Sequence, residues 1–343
     1  MPDAQPSSAA PPPKSKSRPG PVRWGIAVVL LVLAAWAGWH TYQVFQQRSV
    51  VEHIDDLGGV VTYDFDYIDP DNRANRPDAP NPIANLLGND YTQDVVEVNL
   101  RTSAGDALDD EDLERISSLS EVRALTIANG GQITNAGLEN LARMPKLERL
   151  TLGRFTNVTD DGMVVLASLP ELRALELVAV PKISDQGLQH LAKLENLSEL
   201  KITNCKIDGS GWQYVKPSGL KLIEAPLCQV NDEALKHVAD ASALTELNVM
   251  QNQIKGPGLS HLKGMSKLVT LRLAENPLDA SAAVPHLKEL TSLELLNLRG
   301  TGIDREAGKE LAQALPKCDI TIDDGSSYDP EEGKWDYEAA KEE

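Results

Sequence analysis

The chain has 343 residues, of which 41% are hydrophobic but only 4% aromatic, and its formal net charge is −18. This length is enough for a sizeable core, which must consist of aliphatic side chains. The acidic surface argues against nucleic acid as a partner, because binding to phosphate needs Lys and Arg. The three cysteines lie far apart in sequence and form no disulfide framework.

The N-terminus contains a basic tail and the longest apolar run. Residues 1–23 are rich in Pro, Ser, Ala and Lys, which predicts disorder. Residues 24–45 contain no Asp, Glu, Lys or Arg and reach the roughly 20 residues that span a bilayer. Trp24 and Trp39 lie at the ends of the most apolar part, as in an aromatic belt. These features predict a single transmembrane anchor with the basic tail in the cytoplasm and the acidic remainder outside.

Two alternatives to a retained anchor remain open. Residues Ala35, Trp36 and Ala37 resemble a cleavage motif with small residues at the first and third positions. The apolar run would then be a signal peptide, and the chain would be secreted after cleavage. The run would otherwise be a buried helix of a soluble domain. An anchor and a signal peptide would both export the rest of the chain.

Residues 46–94 are predicted to form an N-terminal cap. Their pattern indicates a short helix, a turn at Gly58 and Gly59, a strand, and a Pro-rich loop over residues 69–82. Four carboxylates cluster here but lack the spacing of an EF-hand calcium loop, so we expect a solvated acidic loop. These residues are Asp64, Asp66, Asp69 and Asp71.

The central part of the chain repeats with a period of 23 to 25 residues. The repeats begin at Val122, Leu147, Leu172, Leu197, Leu220, Leu244, Leu268 and Leu293. Each opens with L-x-x-L-x-L or a close variant, such as LERLTL or LVTLRL. Further copies occur at residues 95–100 and 318–322. A fixed period with this pattern indicates repeats that stack on one another.

Each repeat is predicted to contain one strand and one helix. The L-x-L core alternates with period 2, which is typical of a strand with one buried face. The second half has apolar residues at helical spacing, with Thr134, Thr159 or Ser184 as candidate N-caps. Nine or ten strands would stack in parallel about 4.8 Å apart. Helices are wider than strands, so the strands should line a concave face and the helices a convex face.

The full motif resembles the leucine-rich-repeat superfamily. It reads L-x-x-L-x-L-x-x-(N/C)-x-(I/V)-(T/S)-D-x-G-L-x-x-L and is most similar to the ribonuclease-inhibitor-like and F-box-associated type, as in bacterial exported proteins. The resemblance covers residues 95–322. It implies an α/β solenoid shaped as a curved horseshoe, and an array that usually binds protein. No F-box pattern precedes the array, and repeat five departs from the motif with Pro226 in its strand region.

The resemblance also assigns a structural ladder. In the family, the side chain three residues after the second strand Leu points inward and satisfies backbone groups of the turn. Here that position is taken by Cys205, Cys228, Asn252, Asn276 and Thr301. The two cysteines would be neighbours in the stack, which leaves a disulfide or a metal site as the alternative.

No catalytic or metal-binding motif stands out. His190, His237, His261 and His286 share one register in their repeats. Neighbouring helices pack about 8–10 Å apart, whereas zinc binds nitrogen at about 2.0–2.1 Å. The sequence contains no G-x-S-x-G, P-loop, H-E-x-x-H or G-x-G-x-x-G motif. We therefore predict no enzyme activity, no metal and no cofactor.

The concave strand face is the predicted partner-binding surface. Outward strand positions in repeats three to seven combine charged and apolar residues, and such mixtures mark protein contacts. The predicted set is Glu176, Val178, Lys201, Leu222, Glu224, Leu227, Asn248, Met250 and Arg272. The alternative is that Leu222 and Leu227 pack inward because repeat five is irregular.

Residues 323–343 contain nine Asp or Glu against two Lys and are predicted to be a solvated acidic tail. Trp335 and Tyr337 are candidates for folding back onto the last repeat. The sequence as a whole predicts a membrane-anchored scaffold that binds a protein or peptide of unknown identity on its concave face. The alternatives are an envelope spacer without a discrete partner and an exported metal-dependent hydrolase.

Overall fold

The computed structural model describes residues 21–64, 93–101, 107–215, 219–323 and 326–336. The expectations for residues 1–20, the loop at 69–82, three of the four clustered carboxylates and Tyr337 lie outside these ranges. The chain divides into two compact units, Met1–Gln46 and Gln47–Glu343, which are described separately.

The first unit contains most of a long helix, α1 (Pro21–Asp56). From Val28 onward this helix includes a stretch with a mean hydropathy of 1.4, none of which is buried. Apolar side chains such as Leu31 and Phe45 are about two-thirds exposed, at 69% and 70%. The helix is therefore long and apolar enough to cross a membrane, although a signal peptide has the same length and composition. The cap helix predicted after residue 45 is not separate, because α1 continues without interruption to Asp56.

The second unit is built on one sheet. Among the described residues, thirteen strands follow one another in chain order across the sheet. Strands β2 to β11 are parallel and are the ten copies that the repeat predicts, whereas β1, β12 and β13 are antiparallel additions at the two ends. The strands are β1 (Val60–Tyr63), β2 (Val95–Leu100), β3 (Ala124–Ile127), β4 (Arg149–Gly153), β5 (Ala174–Val178), β6 (Glu199–Thr203), β7 (Leu222–Glu224), β8 (Glu246–Asn248), β9 (Thr270–Arg272), β10 (Leu295–Asn297), β11 (Asp319–Thr321), β12 (Ser327–Asp329) and β13 (Lys334–Asp336).

Short helical segments link successive strands. The α-helices are α2 (Asp110–Ile116), α3 (Asn135–Leu138), α4 (Leu235–Val238), α5 (Ala280–Leu287) and α6 (Arg305–Ala314). The predicted helical segment of each repeat is present, but in much of the array it is wholly or partly a 3₁₀ helix. The 3₁₀ helices are Glu139–Arg143, Asp160–Ser168, Gly187–Lys193, Ser210–Tyr214, Asp232–Ala234 and Pro257–Leu262. A repeat this short leaves few residues for its helical part, and 3₁₀ geometry suits short runs.

The core is a continuous stack of aliphatic side chains. Leu150, Leu175 and Leu200 lie on neighbouring rungs of the sheet and are at most 1% exposed. Each buried leucine contributes roughly 1.5–3 kcal/mol relative to an exposed one. Because the register of the strands places every core leucine beside the next, the stack fixes which alternate side chains point outward.

The last three turns of α1 close the N-terminal end of the array. Val50 and Ile54 are buried at 7% and 1% exposure and belong to the core of the second unit. His53 Nε2 and Asp112 Oδ1 lie 2.9 Å apart, and Gln47 Nε2 donates to the carbonyl of Gln93 at 2.8 Å. A solenoid needs such a cap because its open end exposes core residues.

The C-terminal end is closed by a hairpin. Strand β12 pairs with β11, and β13 pairs with β12. Trp335 packs against the core beside Gly308 and forms a tilted ring contact with Tyr328, with 5.7 Å between ring centroids. The prediction for this segment is therefore right for Trp335, which folds back onto the last repeat together with Tyr328. Asp329, residues 331–334 and Asp336 remain exposed, as expected of a solvated tail.

Candidate partner-binding surface

The strand face of the array presents two complete rows of outward side chains. Row one comprises Glu97, Ala124, Arg149, Ala174, Glu199, Leu222, Glu246, Thr270, Leu295 and Asp319. Row two comprises Asn99, Thr126, Thr151, Glu176, Lys201, Glu224, Asn248, Arg272, Asn297 and Thr321. Each row has one residue on each of the strands β2 to β11.

The residues predicted from sequence to bind a partner lie on this face. Five of them occupy row two on consecutive strands: Glu176, Lys201, Glu224, Asn248 and Arg272. Leu222 lies in row one, so the alternative in which it packs inward is wrong. Leu227 follows β7 and is 49% exposed, so it does not pack inward either. The other eight are half-buried.

Of row one, only Leu222 belongs to the set predicted from sequence. The alternation of side chains along each strand predicts row one as well, because the residue before each L-x-L core points to the same face as the middle x of that core. Row one contributes Arg149 and Glu199 to the same face, beside Glu176 and Lys201 of row two.

Charges on the strand face pair across neighbouring strands. Lys201 Nζ lies 4.0 Å from Glu224 Oε2, and Arg272 contacts Glu246. Thr151 Oγ1 donates to Glu176 at 3.0 Å. Each half-exposed pair contributes only about 0.2–1 kcal/mol, so these contacts organise the surface more than they stabilise the fold.

A shallow groove of about 320 Å³ runs over strands β2 to β6, and we refer to it as the N-terminal groove. Both rows line it, together with Arg101. The alanines at 124 and 174 create its depth, because longer side chains stand at the equivalent positions farther along row one. The groove overlaps the set predicted from sequence at Glu176 and Lys201, and otherwise lies closer to the N-terminal end.

Beside the rows lies an apolar strip, defined here as Val178, Leu227 and Met250. Leu227 has a φ of 57°, in the left-handed region, although it is not glycine. This conformation costs roughly 1–2 kcal/mol for an L-residue, and Gly or Asn suits it better. The same conformation recurs at the equivalent turn position of other repeats, at Arg154, Ala179, Asn204, Gln251 and Glu275, so it belongs to the turn of the repeat and is not particular to Leu227. Leu227 is also half exposed, so its apolar side chain is accessible at this turn.

The ladder position predicted from the family lies on the inner side of the same turns. Asn252 Oδ1 accepts from Val230 N at 3.0 Å, and its Nδ2 donates to the carbonyl of Ala225 at 2.7 Å. Asn276 makes the equivalent bonds to Ile254 N and to the carbonyl of Val249. Each of these side chains therefore connects its own turn to the preceding repeat.

The two cysteines of the ladder donate to carbonyls in the same manner. Cys205 Sγ lies 3.3 Å from the carbonyl oxygen of Thr203, and Cys228 Sγ lies 3.3 Å from that of Ile202. Burial raises the pKa of the Cys205 thiol, and it raises the pKa of Cys228 to about 11. Both thiols are free in the structure. Raised pKa values disfavour the thiolate that disulfide exchange and metal binding require.

Cys318 predicts a loss of stability at alkaline pH. This side chain is fully buried, and burial together with Asp319 and Glu294 raises its pKa to about 12, from an ordinary value of 9.0. In the unfolded chain the thiol ionises near pH 9, so its contribution is complete below pH 9 and is lost as the pH rises toward 12. We expect about 3 kcal/mol to be lost by pH 11.

The measurement is urea unfolding of the full chain at pH 8, 9, 10 and 11. The Cys318→Ala variant should lose less stability over this range than the parent, by about 2–3 kcal/mol. Other titrating groups are common to both chains and cancel in the comparison. Equal losses in parent and variant would show that this thiol ionises as easily in the fold as in the unfolded chain.

On the helix side, acidic and amide side chains connect neighbouring repeats, a feature that was not predicted from sequence. Asp160 accepts from Ser184 N at 2.7 Å and from Ser184 Oγ at 2.6 Å. A Cβ on Gly187 would lie 2.5 Å from Asp160 Oδ1, which explains the glycine of the D-x-G-L motif. Thr134 and Thr159 stand at N-caps as predicted, but their hydroxyls make no capping bond to their own helices.

Two neighbouring carboxyl groups on the helix side have shifted pKa values. Burial raises the pKa of Asp185, against the opposing effect of hydrogen bonds from the backbone of Gly211 and Asp208. The pKa of the neighbouring Asp208 is lowered, chiefly because Ser210 N donates to it. These shifts arise in the contacts between repeats. Within the described ranges, no three His, Cys, Asp or Glu side chains come together as metal ligands.

Comparison with known proteins agrees with this architecture. A family model described as a leucine-rich repeat matches residues 242–263. A solved structure of internalin C2 from Listeria monocytogenes is 24% identical, covers 58% of this chain and 78% of its own, and has a TM-score of 0.46. A second internalin from that organism is 20% identical, covers 65% and 79%, and has a TM-score of 0.42. No curated protein matches the sequence.

The repeated motif and the ten parallel strands give the chain the fold of a leucine-rich-repeat solenoid. The leucine-rich-repeat family model matches one of its repeats, at residues 242–263.

Proposed function

We propose that this protein is a membrane-anchored scaffold that binds a protein or peptide partner through its strand face. The observation that carries the proposal is the N-terminal groove, which lies among exposed polar and charged side chains of rows one and two. Extended faces of this kind are the binding surfaces of repeat proteins. The nine residues predicted from sequence continue the surface toward the C-terminal repeats.

Two properties of the surface support a protein partner. Charges and apolar groups are interleaved, with the apolar strip directly beside the charged rows. Such mixed surfaces are typical of protein contacts, because apolar groups supply binding energy and charges supply specificity. Leu227 is the most exposed member of the strip, so its apolar surface is the most accessible to a partner.

The anchoring part of the proposal rests on α1. Its apolar stretch is unburied and the charged residues of the tail precede it, which favours insertion with the tail in the cytoplasm and the array outside. Intact-mass measurement of the chain recovered from membranes separates the alternatives. Retention of residues 1–45 supports an anchor, whereas a chain that begins shortly after Ala37 would show a cleaved signal peptide.

Binding is tested by filling the N-terminal groove. The Ala174→Arg variant of the full chain places a long side chain in the groove, and Thr270→Arg places the same side chain in row one on β9, outside it. Both replacements are at outward strand positions, so their effects on folding should match. Proteins captured from native membranes are then quantified by mass spectrometry.

We expect Ala174→Arg to reduce capture of the specific partner at least tenfold, since a buried clash at the centre of an interface costs 1.4 kcal/mol or more, about a factor of ten. Thr270→Arg should retain it. Leu227→Asn, which suits the left-handed conformation but removes the apolar group, should weaken capture as well. Identical capture by all variants, or no stoichiometric partner at all, would favour a structural spacer over a scaffold.

A further inference from the structure

Row one carries a regular charge pattern within the N-terminal groove. Over strands β2 to β6 its residues are Glu97, Ala124, Arg149, Ala174 and Glu199. The order is therefore acid, alanine, base, alanine, acid. All five line the groove.

The spacing of these charges follows from the sheet. Neighbouring strands lie about 4.8 Å apart, so charges on alternate strands are about 9.6 Å apart along the row. The three charged rungs therefore span about 19 Å. The alanines between them carry no side chain beyond Cβ, which leaves space on both sides of Arg149 for atoms of a ligand.

The two outer carboxylates are open to a cationic ligand. Glu97 and Glu199 are half-buried, and within the described ranges neither side-chain carboxylate has a hydrogen bond or ion pair. By contrast, the acids at 224 and 246 on the same face already contact Lys201 and Arg272. Partly desolvated carboxylates attract cations more strongly than fully exposed ones do.

We propose, on the basis of the binding role set out above, that row one recognises a peptide segment in polyproline II conformation with the pattern basic-x-x-acidic-x-x-basic. This helix has three residues per turn and rises about 3.1 Å per residue. Residues i, i+3 and i+6 therefore share one face at intervals of about 9.3 Å, close to the 9.6 Å between charged rungs. The two basic side chains meet Glu97 and Glu199, and the acidic side chain meets Arg149.

Other conformations match the row less well. In a β-strand, residues i and i+3 point to opposite faces, so three charges at this spacing cannot all face the groove. In an α-helix, residues i, i+7 and i+14 share one face and span about 21 Å, which exceeds the roughly 19 Å between the outer charged rungs by about 2 Å. The polyproline II segment deviates by only about 0.6 Å over the same distance.

The proposal is tested with three fluorescent peptides and the full chain in detergent. The first, KPPEPPK, has the proposed charges and spacing. The second, EPPKPPE, reverses the charges, and the third, KPEPPPK, keeps the composition but displaces the acid. By fluorescence anisotropy at low salt, KPPEPPK should bind at least about tenfold tighter than either control peptide. The difference should fade near 1 M salt, where the screening length is about 3 Å.

A charge-reversed protein provides the sharper test. The triple variant Glu97→Lys, Arg149→Glu and Glu199→Lys should prefer EPPKPPE over KPPEPPK. The matched control, Glu246→Lys, changes the same row on β8 outside the groove and should keep the original preference. Circular dichroism verifies that each variant is folded.

Two outcomes would overturn the proposal: equal binding of the three peptides to the parent chain, or an unchanged preference in the triple variant. These outcomes are distinguishable from failure of the scaffold itself. If Ala174→Arg abolishes partner capture while the peptides are not discriminated, the groove still binds a protein and only the charge pattern is wrong.

Discussion

The Asn276→Asp variant is expected to lose about 3–5 kcal/mol of unfolding free energy. Asn276 is 1% exposed, and its Nδ2 donates to the carbonyls of Val249 and Leu273, both at 2.8 Å. Its Oδ1 accepts from Ile254 N at 3.0 Å. Aspartate has almost the same shape but no donor, so two carbonyls would lose their partner and face a buried negative charge.

The matched control for this ladder residue is Asn297→Asp. Asn297 lies in row two, and its Oδ1 accepts from Arg299 N at 3.1 Å, a bond that aspartate can keep. This variant should change stability by less than about 0.5 kcal/mol, as surface substitutions do. Urea unfolding followed by circular dichroism gives both values. Equal, small losses would mean that the ladder bonds do not hold neighbouring repeats together.

Removal of residues 47–56 is the second large effect that we expect. A chain that begins at Leu57 lacks Val50 and Ile54, whose burial contributes roughly 1.5–3 kcal/mol each. It also lacks His53, which contacts Asp112 of α2. We expect a loss of about 3–6 kcal/mol, with the first repeats unfolding first because each repeat depends on its neighbours.

The comparison is a chain that begins at Gln47, which retains the whole second unit. Its melting temperature should exceed that of the shorter chain clearly, and the Ile54→Ala variant should reproduce part of the loss, about 2–5 kcal/mol. Arg48→Ala, at a side chain that is 67% exposed, should be neutral. If the two truncated chains melted together, the end of α1 would be dispensable and the cap would lie elsewhere.

Much of the fold could be predicted because the repeat encodes it. The L-x-L cores indicated ten parallel strands, and each lies where its leucines stand in the sequence. The type of helix could not be predicted in the same way. The segment Asp160–Ser168 has apolar spacing that suits either helix, and whether it forms 3₁₀ or α turns depends on how tightly neighbouring repeats pack.

The outward rows of the strand face were predicted in part. Row two followed from the middle x of each L-x-L core, whereas row one was overlooked although the same alternation gives it. The N-terminal groove was not predictable from either row alone. The depth of the groove depends on Ala124 and Ala174, which lie on either side of Arg149 in row one. This arrangement becomes apparent only when the five strands are aligned.

The sequence by itself determined the repeat, the strands, their inward leucines and the apolar N-terminal segment, because each depends on periodicity or composition over a short stretch. The tertiary structure decided that α1 continues into the cap and that a hairpin carries Trp335. It also decided the hydrogen bonds that Asp160 accepts from Ser184, and the N-terminal groove. The physical reason is that these features join residues from different repeats. A single repeat specifies its own alternation, but only stacking determines which side chains of neighbouring repeats meet.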